Sequence, residues 1–478
     1  MGFVWRGASD LMLDRGRWSC YKACNLVHGE RKMIDVKNAH LIGTVLFLSL
    51  LPVGVRAAGP SAEGKPERIA IRGGMVLTIS TNPIRDGTVL VEGETIRAVG
   101  RDVVVPDGAR VVDAKGKFVL PGFMDAQSSL YVMASEASGS GGGSAEWSVA
   151  DALDPFIERH EEVLHQGVTA VYVAPSGIGG FAGRGAVLSL NGATRPEKLV
   201  LKADAAVRAS LGLSAGSQSS SLARLDDYAS LRETLIEAQA YAQRQRRYRQ
   251  DLAEYEKKKA EQEKEKKAGD GSKPKDSEEL KRPDKPASNP THEILAKVLD
   301  KEIPLQVEAH RVSDILNALR LAEEFKLSVI LDGCTEGYRI AGEIARRKVP
   351  VVAGPVSTSF VAMPRLEYRN HSPENAAILA AKGIQTAVGV CGRDGLSSKF
   401  ITLAAAMATA NGMDRDAALR AITLTPAEIF GVADRIGSLD VGKRADLVVM
   451  TGHPFDADSR VEMVLVGGKV VYERDTTP

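Results

Sequence analysis

Cysteine is scarce in this chain: four in 478 residues, which excludes a disulfide scaffold. Two of them, Cys20 and Cys24, precede Met33 and are expected to fall outside the mature chain, leaving Cys334 and Cys391. An excess of charge of one sign is missing as well. With 62 Lys and Arg against 61 Asp and Glu the net charge is +1, so neither nucleic acid nor an anionic membrane surface is implied as a partner. A long hydrophobic run is the third absence. Residues 41–55, LIGTVLFLSLLPVGV, are apolar, but a bilayer span needs roughly 20 such residues. That run follows Met33 and Lys37 and ends in Val55-Arg56-Ala57, which predicts a secretory signal cleaved after Ala57. A membrane anchor and a buried helix are the alternatives. Residues 1–32 then read as an upstream extension, with Met33 the start. The expectation is an exported protein, periplasmic or secreted, that meets a membrane only through its signal segment.

What remains is ordinary globular composition, 44% hydrophobic and 26% charged, in a chain long enough for one large domain or two smaller ones. From Glu67 the pattern alternates: ERIAIRGGMVLTIS, DGTVLVEGETIRAVG and ARVVDAKGKFVLPG, with turn pairs at Gly73-Gly74 and Asp86-Gly87, predicting short antiparallel strands. Residues 436–473 show the same texture. Between these ends lie apolar runs at residues 118–126, 169–175, 186–190, 198–203, 304–310, 328–333, 350–355 and 385–390. They are rich in Val and Ile, as buried parallel strands are, and helical patterns separate the later ones. Eight runs suit a (β/α)8 barrel, with the third and fourth also readable as a hairpin. The expected organisation is an upstream extension and signal over 1–57, a composite β domain from 67–118 and 434–475, and a barrel over 119–433. Residues 226–302 interrupt that barrel with a long helix-former rich in Glu and Lys, followed by a Lys/Asp/Ser/Pro-rich tract. This insertion reads as a solvated surface element or as a protein-docking arm.

Two stretches carry a family resemblance. One is Pro121-Gly122-Phe123-Met124-Asp125-Ala126-Gln127-Ser128-Ser129, and the other runs Gly437, Leu439, Gly442, Lys443, Ala445, Asp446, Leu447, Val448. They resemble the "PGFIDAHxH" and "GLGKADLV" signatures of the amidohydrolase superfamily, in its imidazolonepropionase-like exported branch. The resemblance implies a TIM-like barrel with a composite β-sheet domain built from both termini. It also implies hydrolysis of a carbon–nitrogen bond other than a peptide bond, through water activated by a divalent metal such as zinc.

The resemblance further implies where the metal ligands should be, and most of those positions hold something else. Gln127 and Ser129 replace the first-strand His pair. Strand five reads QVEAHRVSDI where relatives have HAHRxxDI, keeping His310 but putting Glu308 at the other position. Gly333 stands at the strand-six His and Cys391 at the strand-eight Asp. Only His310 matches, and one His cannot hold a metal alone. The expectation is therefore no cofactor and a non-catalytic homologue. Its partners would be an active paralogue or another copy of the chain. The alternative is a hydrolase rebuilt around Glu308, His310, Cys391 and Asp394, an N/O/S set of the type zinc accepts, or one using Cys391 as nucleophile with His310 as base. Asp125, Gln127, Ser129, Glu308 and Gly333 would line the pocket, Asp125 holding the end of the first strand.

Overall fold

The apolar run that begins at Phe118 divides between two sheets. In the computed structural model of the protein, Phe118–Pro121 belongs to one sheet and Phe123–Ser128 to another. Gly122 is the crossing point, where a Cβ would lie 2.1 Å from Thr169 Oγ1. The single strand expected over residues 118–126 is thus two, because Pro121-Gly122 lets the backbone change sheets at a contact too close for a side chain. The structure describes residues 67–132, 143–157, 160–175, 179–212, 221–268, 280–357, 366–391 and 395–475. The signal segment and Asp394 lie outside them.

The first sheet is composite. Strands Arg68–Val76, Ile84–Glu92, Thr95–Gly100 and Phe118–Pro121 from the N-terminal side join Leu447–Met450, Val461–Val466 and Lys469–Glu473 from the C-terminal side. The seam is antiparallel, with Leu120 opposite Val448. It is held by a shared core that includes Ile69, Ile71, Val89, Val119, Leu447, Val449 and Leu465. Asp446 in the second signature does structural work. It is buried, its Oδ1 accepts the Gly467 N–H at 2.6 Å, and Arg444 lies beside it. Burial raises its carboxyl above the usual range, against the pull of Arg444.

The second sheet is a nearly closed barrel of eight strands in chain order: β1 (Phe123–Ser128), β2 (Val168–Val173), β3 (Gly180–Ser189), β4 (Val200–Ser210), β5 (Leu305–Ala309), β6 (Val329–Gly333), β7 (Val351–Ala353) and β8 (Thr386–Val388). Seven strands run parallel, but β3 runs antiparallel to both β2 and β4, so β3 and β4 form the hairpin. Gln127 near the end of β1 meets Cys391 just past β8, which brings the two edges of the sheet together. Inside, Tyr172 stacks on Phe430, ring centroids 3.8 Å apart. Phe430 follows the helix Leu424–Ile429, and with Ala427, Ile429 and Val432 it plugs the barrel interior.

Helix α1 (Ser221–Ala268) follows β4 and α2 (Pro290–Leu299) precedes β5. Leu231, Leu235 and Ala238 of α1 are buried, and Tyr241 Oη donates to Glu293 of α2 at 3.0 Å. The first half of α1 is therefore a packed barrel helix. Its root is tied to the barrel mouth, where Arg224 pairs with Asp314 and with Glu367. Among the described residues no helix is long and apolar enough to cross a membrane.

Candidate barrel-mouth site

Alternation along a strand decides which side chains reach the mouth. On β5 and just past it, Gln306, Glu308 and His310 share one face. In register, Ser210 of β4 and Asp332 of β6 lie opposite Glu308. Arg208, two residues before Ser210, therefore points the same way, into the barrel. Its Nη2 donates to Glu308 Oε2 at 2.6 Å and stands 3.2 Å from Asp332 Oδ2. The group is withdrawn from water: Arg208 is 8% exposed and Asp332 0%. Burial pushes the Asp332 carboxyl up to about 6, with Glu308 adding to the rise and Arg208 opposing it. Burial works against the Arg208 charge, yet Glu308 and Asp332 hold its proton still more firmly than in water. One guanidinium, flanked by two carboxylates, sits at the strand ends where this fold does its chemistry.

His310 belongs to the same network. Its Nε2 lies 3.3 Å from Glu308 Oε1, its Nδ1 lies 2.7 Å from Thr335 Oγ1, and the Tyr368 ring packs edge-on against it. Both ring nitrogens therefore have protein partners. Gly333 is what admits this ring: its φ is +79°, and a Cβ there would lie 2.2 Å from His310 Cε1. The position expected to carry a ligand has become the floor under another residue's imidazole.

The β1 end forms a second, separate network. Asp125 is fully buried and accepts from Ser398 Oγ at 2.6 Å and from the Gln127 N–H at 3.0 Å. Burial pushes it up to about 6, and those donors restrain the rise. Ser129 Oγ accepts the Gly395 N–H at 2.9 Å. These bonds fasten β1 to the segment after β8. The Cys391 thiol donates to Gln127 Oε1. It is held well above its ordinary value by burial and then by the carboxylates Asp332, Asp125 and Glu308. A thiol so held is neither a ready nucleophile nor a ready metal ligand.

The described residues at the mouth do not fit a metal. Among the described residues no group of three or more His, Cys, Asp or Glu is placed to hold one. The carboxylates that might have done so are already engaged by a guanidinium. Sequence reasoning brought Glu308 and His310 to one place but missed Arg208 and Asp332. The fourth apolar run ends at residue 203, whereas β4 continues to Ser210. The available signal was the continued alternation of Lys202, Asp204, Ala206 and Arg208. Lys202 lies away from the mouth, its Nζ donating to the carbonyl of Phe430 at 2.9 Å.

A barrel with its mouth at the strand ends, joined to a sheet shared by both termini, is the architecture of the metal-dependent hydrolases. Comparison with known proteins supports that class. A family model described as the Amidohydrolase family matches residues 392–472. An amidohydrolase from Thermotoga maritima MSB8 superposes with a TM-score of 0.68 at 29% identity, over 85% of this chain and 100% of that one. Phenylurea hydrolase B (TM-score 0.51, 17% identity, 85% and 97% covered) shares the fold. So does a prolidase complexed with N-methylphosphonate-L-proline (TM-score 0.50, 18% identity, 85% and 100% covered). Among curated proteins, rat dihydropyrimidinase is 46% identical over 63 residues, 12% of each chain. Human dihydropyrimidinase-related protein 5 is 39% identical over 64 residues, 13% of this chain and 11% of that one. The chain thus aligns with about an eighth of the length of the curated relatives it matches. Its fold and its matched C-terminal segment are those of the amidohydrolase superfamily.

Proposed function

We propose that this protein is a non-catalytic amidohydrolase homologue, exported, that serves as a binding or partner subunit beside an active paralogue. One observation carries the reading: Arg208 lies among Glu308, Asp332 and His310 at the barrel mouth. A permanently charged guanidinium supplies, at fixed position, the positive charge that this fold ordinarily takes from a metal. It bonds Glu308 and balances the charge of Asp332, but it has no open coordination position and cannot lower the pKa of a bound water as a metal does. The high-lying thiol of Cys391, turned to Gln127, supports the same conclusion against a cysteine nucleophile.

The test is the metal content of the full-length exported protein, purified without chelator and then dialysed against zinc, measured beside His310→Ala. The expected result is well under one metal per chain in both. Near-stoichiometric metal that disappears in the variant would overturn the reading. It would favour a hydrolase rebuilt around Glu308 and His310, to be screened on amides and cyclic imides.

A further inference from the structure

Helix α1 is 48 residues long, and its two halves have different surroundings. Its root reaches the barrel mouth through Arg224, which pairs with Asp314 just past β5. Lower down, Arg246 pairs with Asp300, the residue that ends α2 shortly before β5 begins at Leu305. The helix has by then run the height of the barrel to the face opposite the mouth. Residues 247–268 continue past Asp300 for about 33 Å at 1.5 Å per residue. Beyond Ala242 no described residue of α1 is buried.

The pattern on α1 nevertheless continues. Leu231, Ala238, Gln245, Leu252 and Lys259 recur every seventh residue, and so do Thr234, Tyr241, Tyr248, Tyr255 and Gln262. These are the two rows of a coiled-coil seam. The upper part, through Tyr241 and Ala242, is buried within the domain, whereas Gln245, Tyr248, Leu252, Tyr255 and Gln262 are half-buried and the described residues flanking them are exposed. The charges beside this lower seam are segregated: Arg244, Arg246, Arg247 and Arg249, then Asp251, Glu254 and Glu256, then Lys257 and Lys258.

We propose that this projecting part of α1 pairs, antiparallel, with the same helix of a second copy of the chain. The flanking charges select both orientation and register. With Leu252 facing Tyr255 across a two-fold axis, Arg249 flanks the second copy's glutamate 256 and Asp251 flanks its lysine 258, and symmetry repeats each pair. Parallel pairing would set Arg244 against arginine 249 and Asp251 against glutamate 256, like charges in both cases. Opposite charges flanking a seam set partner and orientation in such helices, and like charges oppose them. The contact is isologous, as a closed dimer requires.

Sedimentation of the full chain over a concentration series tests this. The expected result is a monomer–dimer equilibrium that Arg249→Glu weakens about tenfold, since symmetry turns two attractive pairs into two repulsive ones. Adding Glu256→Arg to that variant restores the dimer, because the exchanged charges meet again only in the antiparallel register. Both substituted positions are exposed, so folding, followed by circular dichroism, stays unchanged. A chain monomeric at all concentrations, a dimer indifferent to Arg249→Glu, or a double variant no better than the single would each overturn the proposal.

Discussion

Replacing Arg208 with methionine removes the guanidinium from a buried cluster and leaves two carboxylates facing each other, since Glu308 and Asp332 are register partners on adjacent strands. Breaking a buried ion pair in this way costs about 3–5 kcal/mol, because the carboxylates lose the guanidinium without regaining water. The sign of the pH dependence follows from Asp332. Its carboxyl lies at about 6 in the folded protein against an ordinary 3.8. A raised carboxyl favours the folded state fully below its unfolded value, and that contribution is lost as pH rises through the folded value. The gap is worth about 3 kcal/mol even with Arg208 present. Without the guanidinium the folded value rises further, so the window of loss moves upward through neutrality. Urea unfolding followed by tryptophan fluorescence at pH 5 and pH 8 reads this directly. Arg208→Met is expected to be less stable by about 3–5 kcal/mol at pH 8 and to regain much of that at pH 5. Adding Glu308→Gln and Asp332→Asn should recover most of the loss at pH 8, because the two facing carboxylate charges are then gone. A loss under about 1 kcal/mol at pH 8, or an equal loss at both pH values, would refute the electrostatic argument.

Gly333→Ala adds a Cβ 2.2 Å from His310 Cε1 at a φ of +79°. It should destabilise by about 2–4 kcal/mol, combining left-handed strain with displacement of the ring. Thermal unfolding checks the loss and the His310 NMR resonances check the displacement, and an unshifted imidazole would contradict the contact. Ser398→Ala removes the hydroxyl that donates to Asp125 at 2.6 Å. It should cost about 1–3 kcal/mol at pH 8. The penalty should shrink below pH 6, where Asp125, itself held at about 6, takes up a proton. A penalty independent of pH would mean that the Asp125 charge is not what the serine supports.

Much of the architecture was legible because its determinants are local. Alternating apolar residues and turn pairs before residue 118 and after 436 define the two halves of the composite sheet. The 437–448 signature has a visible reason in the structure, where Asp446 receives the Gly467 N–H. The third and fourth apolar runs, readable as a hairpin, form the antiparallel β3–β4 pair. The change of sheet at Gly122 was harder to read, because Pro121-Gly122 sits in one unbroken apolar run and only the nearness of Thr169 makes the glycine necessary. Half of the candidate site was harder still. Asp332 lies in a run that reads simply as buried strand, and Arg208 lies past the end of the fourth apolar run.

Composition, periodicity and two short signatures by themselves determined the fold class and the positions at which metal ligands would have stood. They also determined the heptad rows and charge blocks of α1, since these depend only on spacing along one helix. What occupies the barrel mouth was decided by tertiary structure. Arg208 and Glu308 are 100 residues apart, and no local pattern couples them. They meet because parallel strands aligned in register turn alternate side chains toward one interior, where low water access makes a guanidinium between two carboxylates a far stronger constraint than the same residues have in sequence.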